Sequence, residues 1–166
     1  MKKSIIIQLI SCMMALFSFW AHGQGPTENT AAGAKIIASI ALTEVQPMHF
    51  GTMTVQAGQG GTCVISPAGV RSRTGGVTLS NLAPTMSLAT YHVTGEPGKS
   101  YSITLPATIT VTSAPFSMTV SNLLAKPASG AASFNATGTI GSGGSEQFTI
   151  GATLNVAAGQ EEGLYT

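Results

Sequence analysis

Aspartate is absent from this 166-residue chain, and charged residues of all kinds make up only 8% of it. Globular proteins usually contain about 25% charged residues. The net charge of +1 is almost neutral, and no basic stripe occurs, so the sequence predicts no nucleic-acid partner. Arg71 and Arg73 form the one close pair of cations beyond the amino terminus. Their alternate spacing places them on one face of a strand, which is typical of a solvated surface.

Groups that could converge into a catalytic site are also scarce. Beyond the amino terminus only His49 and His92 are histidines, and neither belongs to a metal-binding or nucleophile motif. Glu161 and Glu162 are adjacent, so a strand would direct them to opposite faces. The glycine-rich residues 58–61 lack the lysine and the helix of a phosphate loop, which favours a hairpin turn. We therefore expect no enzyme, no catalytic or metal-binding residues and no cofactor.

Two cysteines are too few for a disulfide framework. Cys12 lies in the apolar amino-terminal run, and Cys63 lies in a run that is typical of a strand. If the amino terminus is removed, Cys63 has no internal partner, so we expect a small buried apolar side chain. An intermolecular disulfide through Cys63 is the alternative.

The amino terminus is typical of a secretory signal peptide, with two lysines, an apolar run and small residues at 21 and 23. This pattern predicts a signal peptide over 1–23 and a polar leader over 24–33. The protein would then be exported to the periplasm, the outer surface or the medium. The apolar run is shorter than the roughly 20 residues of a spanning helix, so no membrane span is expected after cleavage. A lipoprotein box at Cys12 is an alternative, which the apolar residues that follow disfavour.

Apolar and polar residues alternate between glycine and proline turns, and this pattern predicts a single all-β domain over residues 34–166. The alternation is longest in residues 146–156, from Phe148 to Val156. The short strands and frequent turns indicate an antiparallel β-sandwich whose core is formed by the alternating apolar residues. Further strands are predicted over residues 49–55, 61–66, 71–80, 89–94, 100–105, 108–112 and 116–121.

Two segments carry mixed signals. In residues 34–42, Ile36 and Ile40 fit one helical face, but Ile36, Ala38, Ile40 and Leu42 alternate equally well as a strand, which the context favours. Within residues 71–80, two adjacent glycines at 75 and 76 predict a bulge or a hairpin turn.

Several blocks occur in a fixed order and together resemble a known family. The blocks are Phe50-Gly51 with 61–67, then 91–95 with 101–106, then 148–154 with Gly159-Gln160 and Gly163-x-Tyr165. They resemble bacterial exported domains catalogued as domain of unknown function 4402, over residues 34–166. The resemblance implies an immunoglobulin-like sandwich similar to fimbrial and spore-coat subunits, and it implies no catalytic residues. Cys63 stands where valine is more usual in that family, which fits a core position.

Members of that family usually continue past the Gly-x-Tyr element with one more alternating strand, whereas this sequence ends at Thr166. The resemblance therefore implies a sandwich that lacks its last strand and has an unpaired edge and an apolar groove. We expect other protein subunits, either copies or related chains, to bind through the open edge. The leader would be a poor strand donor because it contains Pro26 and no large apolar residue. Either a different chain fills the gap or the chain is truncated, and truncation is the simpler of the two explanations.

These observations favour an exported structural or adhesive subunit of a bacterial cell surface, pilus-like or coat-like and without catalysis. The alternative is a carbohydrate or small-ligand binding module of the periplasm or surface. Such a module usually stacks aromatic side chains on its ligand, and after removal of Trp20 this chain offers Tyr91, Tyr101 and Tyr165.

Overall fold

The structure, a computed structural model, describes residues 34–166. The predicted signal peptide, the leader and Cys12 lie outside that range. The described residues form strands and no helix, which confirms the predicted all-β fold with antiparallel pairing. The strands are β1 (Ala41–Gln46), β2 (Met53–Val55), β3 (Gly61–Ile65), β4 (Arg71–Gly75), β5 (Val77–Leu79), β6 (Ala89–Thr94), β7 (Ser100–Thr104), β8 (Thr108–Ser113), β9 (Phe116–Pro127), β10 (Asn135–Thr139) and β11 (Ser145–Val156).

The long strand β11 organises the larger sheet. One of its edges pairs with β9, and β9 pairs in turn with β8. Its other edge pairs with β6 through residues 145–150 and with β3 through residues 152–156. Strand β1 continues the sheet beyond β6, and β4 continues it beyond β3. Within residues 34–166 the sheet therefore has three end strands, namely β1, β4 and β8.

Two small strand pairs, β2–β5 and β7–β10, form the second layer. Side chains of β2 and β5 pack with Leu154 and Val120 of the large sheet, and side chains of β7 and β10 pack with Phe148 and Val93. We call the face of the large sheet that carries these four residues its inner face. The predicted sandwich core is confirmed along β11, where Phe148, Ala152, Leu154 and Val156 are buried.

Strand β9 runs on to Pro127, although the sequence predicts its end at Ser121. The pairing of β9 with β11 shifts register next to Asn122, whose φ of 51° is in the left-handed region. This bulge reverses the alternation, so the buried positions change from Val120 to Leu123 and Ala125. The alternation of apolar residues in the sequence is interrupted at the bulge, which is why the sequence predicts that the strand ends at Ser121.

The prediction of a bulge or hairpin at Gly75-Gly76 is wrong, because the chain changes sheets there. Strand β4 ends at Gly75 paired with β3, and β5 pairs with β2. Gly75 has a φ of 61°, and a Cβ at this residue would overlap the carbonyl oxygen of Gly60. Residues 58–61 do not close the predicted hairpin either, since the strands on each side of them, β2 and β3, pair with different strands.

The predicted strand over residues 34–42 is wrong in its extent and in its burial. Residues 34–40 belong to no strand, and β1 begins only at Ala41. Ile36, Ile40 and Leu42 are exposed rather than part of the core. The alternating pattern has the period of a strand, but in the described chain no second layer covers these side chains.

Candidate interaction surface

Strand β1 is an end strand that exposes apolar side chains. It pairs with β6 along one edge, and no strand among residues 34–166 pairs with its other edge. Leu42 lies opposite Val93 and therefore on the inner face, yet Leu42 is 62% exposed while Val93 is buried. The second layer thus covers the inner face of β6 but leaves the inner face of β1 exposed to solvent.

The regular part of β1 is short. The pairing with β6 shifts register between Glu44 and Gln46, so Val45 is an extra residue in a bulge. Val45 is also exposed. Bulges bend an edge strand away from regular pairing, so the unpaired edge of β1 is flat only over residues 41–44.

A groove of about 570 Å³ lies between β7 and residues 37–40, which precede β1. Ile37, Ile40, Tyr101 and Ile140 supply apolar lining, and Glu96 and Lys99 are its charged lining residues. Strand β7 pairs with β10 on one edge, and within the described chain its other edge is unpaired. The groove therefore adjoins the edge of β7 that has no strand partner in the described chain.

A buried carboxylate lies behind Tyr101. The Ser129 amide donates a hydrogen bond of 2.6 Å to Glu146 Oε1, and the Thr139 amide donates to Ser129 Oγ at 2.9 Å. A Cβ built on Gly138 would lie 2.5 Å from the Tyr101 hydroxyl and 2.7 Å from Glu146 Oε2. The two side chains therefore converge over a glycine that leaves them room.

The pKa values of Glu146 and Tyr101 are both shifted from their ordinary values. Burial alone would raise the pKa of Glu146, but polar contacts with Ser129 and Tyr101 outweigh burial and hold that pKa below its ordinary value. The pKa of Tyr101 is raised, first by burial and then by the Glu146 carboxylate. Glu146 is therefore ionised at neutral pH and fixes the turn at Ser129 against β11.

Glu146→Gln is expected to lower the free energy of unfolding at pH 7 by about 1.5–3 kcal/mol, the usual value for hydrogen bonds to a charged group. A carboxyl whose pKa is lowered by folding stabilises the fold above its unfolded pKa. This stabilisation is lost as the pH falls through the folded pKa, so the gap between the two proteins should close in acid. Urea denaturation of both proteins at pH 7 and pH 3 measures this difference in the free energy of unfolding.

The control for this prediction is Glu162→Gln, because Glu162 is exposed. That variant should match the unmodified protein at both pH values. A gap for Glu146→Gln that stays constant between pH 7 and pH 3 would contradict the assigned role of the carboxylate.

Strand β8 is the end strand at the opposite side of the large sheet from β1. The Thr112 amide donates to the Thr166 carbonyl at 2.9 Å, and the Thr166 amide donates back to the Thr112 carbonyl at 3.1 Å. Because alternate residues direct their backbone groups to the same edge, Thr108 and Thr110 direct theirs to this edge as well. Thr108 and Thr110 pair with β9 on the other side of β8, but no strand of the described chain pairs with this outer edge.

The residues that the sequence singled out for chemistry are not gathered into one site. His49 Nδ1 accepts a hydrogen bond of 2.8 Å from the Gly51 amide, and His92 is exposed on β6. Cys63 is a free cysteine and fully buried, which confirms its predicted core position. Residues 34–166 contain no group of three or more histidine, cysteine, aspartate or glutamate side chains that could hold a metal ion.

Arg71 departs from the prediction of a solvated face. Its Nη1 donates to the Ser80 carbonyl at 3.1 Å and its Nη2 donates to the Thr52 carbonyl at 2.7 Å. Arg73 is exposed, as predicted. Arg71 therefore ties β4 to the chain around β2 and β5, a role that strand spacing could not reveal.

The three tyrosines considered for carbohydrate stacking serve other contacts. Tyr91 stacks on Phe148 with 5.2 Å between ring centroids, and Tyr101 lies 6.5 Å from the same ring. The Tyr165 hydroxyl accepts a hydrogen bond from the Gln160 amide and donates to the Glu161 carbonyl. These three rings therefore do not form a shared flat surface on which a sugar could stack.

The fold and the surface define a class of protein: an antiparallel β-sandwich with unpaired strand edges and bare apolar side chains on an end strand. The family described as "Domain of unknown function (DUF4402)" matches residues 40–166, and the chain belongs to it. Comparison with curated proteins finds no match, and comparison with solved structures finds none either. In the described part of the chain, no helix is long and apolar enough to cross a membrane.

Proposed function

We propose that this protein is an exported structural or adhesive subunit of a bacterial cell surface, and that it joins other protein subunits through an open sheet edge. The observation that carries the proposal is the bare end strand β1, in which Leu42 is exposed on the inner face. The signal-peptide pattern of residues 1–23 supports export to the periplasm, the outer surface or the medium.

Unpaired strand edges are templates for another strand, because their amide and carbonyl groups lack partners. Natural proteins often protect such an edge with charged side chains, above all lysine, or with a bulge. Strand β1 has a bulge at Val45, but its regular residues 41–44 present the exposed Leu42, and Glu44 is its one charged residue. This composition supports association of subunits through main-chain hydrogen bonds and an apolar contact. The proposal includes no catalytic step.

Leu42→Lys is expected to abolish association, because a lysine on a strand edge opposes pairing with a second strand. The protein, purified after export from a bacterial host, should form species larger than a monomer in sedimentation velocity and fibres in electron micrographs. The variant should sediment as a monomer at the same concentrations.

The matched control is Leu82→Lys, since Leu82 is 71% exposed and lies in a loop rather than on β1. This variant should associate like the unmodified protein. A protein that remains monomeric at every concentration and forms no fibres would refute the proposed function. If both leucine variants associate to the same extent, β1 is not the edge through which the subunits join.

A further inference from the structure

The large sheet ends in β1 on one side and in β8 on the other, and these two edges are chemically alike. Ile109 lies opposite the buried Val120, so it belongs to the inner face, as Leu42 does. Ile109 is 42% exposed. Thr43 and Thr110 lie opposite the exposed residues His92 and Thr119, and thus on the outer face.

The regular stretches of the two edges also have equal length. The bulge at Val45 limits β1 to residues 41–44. The backbone pair between Thr112 and Thr166 occupies the far end of β8 and leaves residues 108–111. The two stretches have the same length, and each has an exposed aliphatic side chain on the inner face and a threonine on the outer face, so the edges can pair at these positions. At the last position Glu44 would lie beside Val111.

Strand directions fix how two copies could meet. From β1 through β6, β11 and β9 to β8, every neighbouring pair is antiparallel, so β1 and β8 run in the same direction. A second copy shifted sideways without rotation would therefore place its β1 parallel to β8 of the first copy. The inner faces of both copies would then lie on the same side.

We propose that residues 108–111 of one copy pair in parallel with residues 41–44 of a second copy, so that the large sheet continues from subunit to subunit. Leu42 then covers Ile109 of the neighbour and removes both aliphatic side chains from water, and Thr43 lies beside Thr110. The contact is heterologous and does not close on itself, so it generates an open fibre. This inference rests on the proposed function and names the partner as a second copy of this chain.

Two edge variants test this pairing. Leu42→Lys blocks β1 and keeps β8, whereas Ile109→Lys blocks β8 and keeps β1. At a concentration at which the unmodified protein forms species larger than a dimer, each variant alone should be monomeric in sedimentation velocity. A mixture of equal amounts should form dimers and nothing larger, since each dimer uses its two intact edges and leaves only blocked ones.

The other outcomes separate this inference from the proposed function. If the unmodified protein associates but the mixture stays monomeric, the β1–β8 pairing is wrong while association remains. If Ile109→Lys alone associates like the unmodified protein, the contact does not involve β8, and the inference is again overturned. An unmodified protein that is monomeric at all concentrations refutes both proposals. Circular dichroism melts of the two variants, expected within a few degrees of the unmodified protein, show that both are folded.

Discussion

Phe148→Ala is expected to lower the free energy of unfolding by about 3–5 kcal/mol, the usual range for removing a buried phenylalanine. Phe148 is 5% exposed and lies on the central strand β11, where it stacks on Tyr91 and contacts Tyr101 of β7. Its removal would leave a cavity between the large sheet and the β7–β10 pair. Urea denaturation followed by circular dichroism measures the loss.

Phe116→Ala is the matched control for Phe148→Ala. Phe116 is 43% exposed and lies where β8 turns into β9. Its substitution should change the free energy of unfolding by about 0.5 kcal/mol or less, as is usual at the surface. Equal losses for the two variants would contradict the assignment of the core.

Gly151→Ala is expected to destabilise the fold by about 3 kcal/mol, the upper end of the range for overpacking. A Cβ at Gly151 would lie 2.5 Å from the Ile65 carbonyl oxygen and 2.5 Å from the Pro67 nitrogen. Both atoms belong to the backbone, so no side chain can rotate away. The chain after β3 would have to separate from β11, whose pairing with β3 begins at Ala152 and Ile65.

Gly143→Ala is the control for Gly151→Ala, because a Cβ at Gly143 would meet no atom within 4 Å. The control should leave the denaturation midpoint almost unchanged. A similar, small effect for Gly151→Ala would show that β3 and β11 do not approach as closely as the structure places them.

The sequence predicts the fold well wherever a strand is covered on one face and regular along its length. Strand β11 comes nearest to both conditions: of its alternating apolar residues Phe148, Ala152, Leu154 and Val156 are buried, and Ile150 is half-buried. Prediction fails where tertiary pairing breaks the period. At Asn122 a bulge shifts the alternation by one residue, and at Gly75 the chain leaves one sheet for another while the local sequence still favours extended backbone.

The interaction surface is harder to predict than the fold, because an end strand and a central strand share the same period of two. Leu42 has the alternation of a core residue, and only the strand order, which places β1 at an end of the large sheet, shows why no second layer covers it. The bare edge of β1 and the convergence of Tyr101 and Glu146 depend on contacts between residues far apart in the chain.

Amide hydrogen exchange of the purified protein at low and high concentration tests the central claim most directly, because strand pairing between copies must protect edge amides. We predict that exchange in β1, over residues 41–44, slows as the concentration rises, while exchange in the internal strand β3 does not change. If the β1 amides exchange at the same rate at both concentrations while larger species are present, the edge of β1 is not the surface through which this protein associates.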